Sequence, residues 1–172
     1  MPSKLLKGKH ILAVDDEADV LDILSEELQD CEVLLDRASS YEEAVRRMAS
    51  SVYDVVILDI MGVSGCELLE CAVARKLPVV MLTAHALSPQ SLKKSIELGA
   101  RAYLPKDQLG QVTPFLEDVL NLSYRSAWRS LFRRLGASFG KRFGPDWRRS
   151  EQEFWDRFEE DMKVRESTII DS

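Results

Sequence analysis

HILAVDDEADVLDILSEEL, residues 10–28, decides the fold. Its first five residues make a short, nearly continuous apolar run, the pattern of a strand covered on both faces. Two carboxylates, Asp15 and Asp16, follow at once. From Ala18 the period changes: Val20, Leu21, Ile23, Leu24 and Leu28 recur at helical spacing. A buried strand, a polar turn and an amphipathic helix together form one βα unit.

The unit repeats downstream. Further β-rich runs are expected at 32–35, 54–58, 79–83 and 101–104. Helical stretches alternate with them. Ser40 followed by Glu43 is a capping-box spacing that opens a helix over 41–49. Ser88 and Pro89 supply a cap and a first-turn proline for 90–98, and Gly99 stops that helix. Five βα units predict an α/β domain with a parallel sheet over residues 7–122.

The pattern changes near Gly110. No strand signal follows, and Thr113-Pro114 opens a further helix. Apolar residues then recur at helical spacing to about Phe143, a span of roughly 45 Å. Gly144-Pro145 breaks the run, and a second amphipathic segment covers 146–164. Residues 123–165 are thus expected to form an αα-hairpin extension, with 166–172 a disordered tail.

Charge supports that pairing. Residues 125–149 hold eight Arg and Lys and one acid, whereas 151–172 hold eight acids and three bases. A basic helix followed by an acidic one is self-complementary. The formal net charge of -6 argues against nonspecific nucleic-acid binding by the whole chain. Neither an apolar run long enough to span a bilayer nor a signal-peptide pattern is present in these 172 residues, so the cytoplasm is the expected location. Cys31, Cys66 and Cys71 show no paired spacing and suit a reducing compartment.

The chemistry collects at one edge. Asp15 and Asp16 follow the first strand, Asp59 the third, Thr83 ends the fourth and Lys106 follows the fifth. Open parallel sheets gather ligands at the carboxyl ends of their strands. Two carboxylates about 4 Å apart repel by ~4 kcal/mol at an effective dielectric near 20, so three acids in one pocket call for a cation. Oxygen ligands and an open site suit Mg²⁺, which bridges readily to phosphate. A lysine and a threonine beside it can neutralise and hydrogen-bond further phosphoryl oxygens. A carboxylate held in such a pocket can act as nucleophile.

AVDDE (13–17), VVILDIMG (55–62), VVMLTAHA (79–86) and GARAYLPKD (99–107) together resemble the receiver domain of bacterial two-component response regulators. The resemblance covers 7–122. It implies a doubly wound, flavodoxin-like five-stranded sheet of order 2-1-3-4-5. It further implies that Asp59 accepts a phosphoryl group from a histidine kinase or phosphotransfer protein. Asp15, Asp16, Asp59 and the backbone carbonyl of Met61 would hold Mg²⁺, with Thr83 and Lys106 on the phosphoryl oxygens and Tyr103 as the aromatic switch. Two departures stand out. The loop after Asp59 is two residues shorter than usual, with Gly65 as its glycine and no proline. Asp107 replaces the proline that often follows the lysine.

Three outputs compete. A phosphorylation-controlled interaction module would use the C-terminal helices to dimerise or to hold a partner protein. A receiver-type transcription factor would use the basic helix on DNA, but no helix-turn-helix pattern is present. An aspartate-nucleophile phosphatase would want a second acid two residues after Asp59, where Met61 stands. The first reading is preferred, with catalysis limited to the chain's own phosphorylation and dephosphorylation. His10 is expected to be structural or solvated, and His85 to lie at the pocket rim.

Overall fold

The computed structural model describes residues 5–59, 65–83, 93, 96–121 and 156. Five strands alternate with helices: β1 (His10–Val14), α1 (Ala18–Leu28), β2 (Leu34–Ala38), α2 (Tyr41–Ser50), β3 (Val55–Asp59), α3 (Gly65–Ala74), β4 (Val79–Thr83), β5 (Ala102–Pro105) and α4 (Val112–Asn121). The strands form one sheet of order β2-β1-β3-β4-β5. All four neighbouring pairs are parallel. The doubly wound α/β expectation therefore holds. Right-handed crossovers set the layers: β1 to β2 moves one way across the sheet and β2 to β3 the other, so α1 and α2 lie on opposite faces. α4 lies beside α1, and α3 beside α2.

The apolar runs form the core. Every residue of β3 and β5 is buried, as are the last four of β1. α1 contributes Val20, Leu21, Leu24 and Leu28, and α4 contributes Val112, Phe115, Leu116 and Val119. Ile23, counted in the apolar pattern of α1, is 40% exposed at the flank of that stripe.

Local signals act as expected in two places. Ser40 Oγ accepts the Glu43 N–H at 3.2 Å and caps α2. Gly99 adopts φ 101 and its N–H reaches the Ile96 carbonyl. A Cβ there would sit 3.2 Å from Val73 Cγ1, so this position needs glycine for both conformation and space.

Strand ends differ from the sequence expectation. β2 begins at Leu34 instead of 32, because Gln29–Cys31 forms a 3₁₀ turn and Glu32 closes it in the left-handed region, φ 56. β2 then continues through Asp36 and Arg37, which an apolar criterion rejects. It is an edge strand, and its half-exposed positions accept charge. β3 and β5 each start and end one residue later than expected. Asp54 precedes β3, where its Oδ2 accepts the His10 N–H at 2.8 Å. Pro105 ends β5 opposite Thr83, tolerable because β5 is the other edge.

His10 is structural. Its Nε2 lies 2.8 Å from Asp36 Oδ2 and its Nδ1 3.0 Å from the Val52 carbonyl oxygen. The Tyr53 hydroxyl donates to the same Asp36 oxygen at 2.8 Å, and the Tyr53 ring lies 4.3 Å from the imidazole. Burial works to raise the Asp36 carboxyl, but Tyr53, His10 and Arg47 outweigh it and hold it below its ordinary value. This cluster ties β1, β2 and the entry to β3 together at the amino-terminal edge of the sheet.

The extension expected beyond 122 lies outside the described residues, apart from residue 156. So does most of the helix expected over 90–98. Among the described residues, no helix is long and apolar enough to cross a membrane.

Candidate functional site

The site forms where the strand order reverses, between β1 and β3. β1 delivers Asp15 one residue past its end, and β3 carries Asp59 as its last residue. Both carboxylates are buried, Asp15 at 0% and Asp59 at 3% exposure. Apolar strands on each side leave these acids nowhere to go but the carboxyl edge. β5 passes directly into a 3₁₀ helix, Lys106–Gln111, and so sends Lys106 across to the same edge.

Lys106 is the centre of the arrangement. Its Nζ lies 2.9 Å from Asp15 Oδ2, 3.4 Å from Asp59 Oδ2 and 3.5 Å from Glu17 Oε1. Burial works to lower its pKa, but Asp15, Asp59 and Glu17 outweigh that and hold the ammonium above its ordinary value. Asp15 is pushed up, chiefly by burial and further by Asp59. The Glu17 N–H, which donates to Asp15 Oδ1 at 2.9 Å, and Lys106 oppose the rise.

The carboxylates of Asp15, Asp16 and Glu17 converge, with ligand oxygens within 4.8 Å of one another. Asp16 and Glu17 are exposed, so the acids form a gradient from solvent to the buried pair. Hard carboxylate oxygens, two of them on fully or nearly buried side chains, suit a hard divalent cation such as Mg²⁺. Lys106 supplies one positive charge against the four carboxylates of Asp15, Asp16, Glu17 and Asp59, which a divalent cation would balance further.

The other expected residues divide. Tyr103 is fully buried in β5. Thr83 ends β4 in register with Pro105; its side chain lies outside what the structure describes. Met61 and His85 lie outside the described residues, as does the shortened loop over 60–64. Glu17 joins the site although its place in the sequence does not mark it. An acid at a helix start reads as a dipole partner, and only the fold turns it back toward Lys106. Residue 107 joins Lys106 through a trans peptide bond.

A profile of the response regulator receiver domain matches residues 11–112, more than half of the chain. The two-component response regulator ARR10 of Arabidopsis thaliana is 35% identical over 104 residues, 58% of this chain and 19% of that protein. The transcriptional regulatory protein ResD of Bacillus subtilis is 29% identical over 125 residues, 68% of this chain and 52% of that one. The chain thus spans about a fifth of the first of these relatives and about half of the second. Among solved structures, the receiver domain of NtrX from Brucella abortus aligns at a TM-score of 0.56 and 28% identity, covering 66% of this chain and 99% of that one. The BeF3-activated receiver domain of DrrB, a Thermotoga maritima OmpR/PhoB homologue, aligns at 0.54 and 28%, covering 64% and 98%.

Proposed function

We propose, from the premise that this chain belongs to the response regulator receiver family, that it accepts a phosphoryl group on Asp59 and passes the signal on by protein interaction. The observation that carries this reading is the convergence of two buried carboxylates, Asp15 and Asp59, on one ammonium, Lys106. In a structural core two buried carboxylates sharing one ammonium would leave one buried charge uncompensated, at a cost in stability. Around a transferring phosphoryl group the same charges have a use. Asp59 is the nucleophile, in line with a donor approaching from the open edge. Lys106 neutralises a phosphoryl oxygen, and the Thr83 hydroxyl hydrogen-bonds another. Asp15, Asp16, Asp59 and the Met61 carbonyl would hold Mg²⁺, which would supply further charge neutralisation when bound. The donor is a histidine kinase or a phosphotransfer protein.

Tyr103 would report the modified state. It sits in β5, three residues before Lys106, which opens the 3₁₀ helix that directly follows, so a displacement of Lys106 toward a phosphoryl group pulls on the end of that strand. The region after Asn121 carries the output, as a dimerising element or a partner-protein surface. Catalysis remains self-directed, with a conformational state as its product.

A small-molecule phosphodonor with Mg²⁺ should add one phosphoryl group to the wild-type chain, read as a mass increment. Asp59→Asn should abolish it, and Asp16→Ala should remove most of the rate together with its metal dependence. Full labelling of Asp59→Asn would overturn the assignment.

A further inference from the structure

Lys106 touches three carboxylates that are not equivalent. Asp15 and Asp59 are buried on neighbouring central strands. Glu17 stands on the turn between β1 and α1, with its side chain 61% exposed. The ammonium therefore bridges a buried pair on one side and a solvated acid on the other. Glu17 is also anchored, because its N–H donates to Asp15 Oδ1 at 2.9 Å. Its backbone cannot drift from the site without releasing Asp15.

We propose that Glu17 is a positioning residue for Lys106, holding the ammonium at the mouth of the pocket when Asp15 and Asp59 serve a divalent cation. The inference rests on the phosphoryl-accepting reading above. An ammonium and a divalent cation that share two carboxylates repel each other. Lys106 must then withdraw from Asp15 and Asp59. Its long stem allows this, and Glu17 is the remaining carboxylate already within 3.5 Å. The exposure of Glu17 matters as much as its charge. A solvated ion pair is weak, so it keeps the ammonium near without competing strongly against a phosphoryl oxygen. A fully buried acid in this place would trap Lys106.

The test is a double-mutant cycle on Mg²⁺ affinity, measured by calorimetry on the full chain without phosphodonor. Glu17→Gln should weaken Mg²⁺ binding about threefold, the scale of a solvated ion pair. In a Lys106→Met background the same substitution should have a clearly smaller effect, because no ammonium remains to be held aside and only the direct attraction of one carboxylate for the cation is lost. An equal loss in both backgrounds would mean that Glu17 acts on the metal by its own charge, and would overturn the proposal, as would unchanged binding in Glu17→Gln. Should Lys106→Met fail to fold, the Lys106 ammonium resonance at saturating Mg²⁺ decides. It should shift between wild type and Glu17→Gln, and identical signals overturn the idea. The two readings fail separately. A coupled cycle in a chain that takes no phosphoryl group sinks the function alone, and a labelled chain without coupling sinks the role of Glu17 alone.

Discussion

At the scale of single residues, the chain carries two polar clusters at opposite edges of one sheet, and they behave oppositely. Around Lys106, several acids are crowded on a single ammonium. Around Asp36, a single acid is satisfied by Tyr53, His10 and Arg47. The second cluster is a stability device. Asp36→Ala leaves the Tyr53 hydroxyl and one imidazole nitrogen without their acceptor and should cost about 1–2 kcal/mol at neutral pH, read by urea denaturation. The pH dependence has a definite sign. The folded-state value of Asp36 lies below its ordinary 3.8, so its contribution is present above that value and is lost as pH falls through the folded one. Wild type and Asp36→Ala should therefore differ at neutral pH and converge in stability in strongly acidic solution. A constant gap down to the lowest pH would refute the linkage.

Elements tell how much of this was legible in the sequence. The class and number of strands follow from the alternation of apolar runs and amphipathic stretches, and their order in the sheet from the resemblance to receiver domains. Asp15, Asp59 and Lys106 follow from their places at strand ends. What escaped is physical and local. β2 starts later than its apolar run suggests because the left-handed turn at Glu32 has no glycine to announce it, and an edge strand need not be apolar. Glu17 escaped because its partner is 89 residues away in sequence. Cap and stop signals, by contrast, need only neighbours, and both worked. Ser40→Ala should cost about 1 kcal/mol by releasing the Glu43 N–H. Gly99→Ala should cost at least as much, on the order of 1–3 kcal/mol, because a positive φ and a tight Val73 contact both oppose the methyl. Chemical denaturation of the two variants checks the ranking, and a Gly99→Ala protein as stable as wild type would contradict it.

For the whole molecule, the receiver architecture accounts for residues up to the end of α4 at Asn121. Basic residues then dominate 125–149 and acidic ones 151–172. On the proposed reading, that second part converts a phosphoryl event into association. Truncation after Leu122 should leave a monomer that still takes a phosphoryl group. The full chain treated with beryllofluoride should show a larger mass by light scattering than the truncated one can explain. A full chain that stays monomeric with and without beryllofluoride at high concentration would remove association between copies as its output.

The placement of Lys106 has a consequence for the birth of the protein. Asp15 and Asp59 are 44 residues apart, and Lys106 follows Asp59 by another 47. At roughly 5–20 residues per second, a ribosome makes Lys106 about 5–18 s after Asp15. During that interval the growing chain exposes its acids without their ammonium. It cannot assemble the pocket until β5 has emerged and docked beside β4. On the proposed reading, signal competence therefore arrives only once residue 106 has been made, and nascent chains that stall earlier are silent.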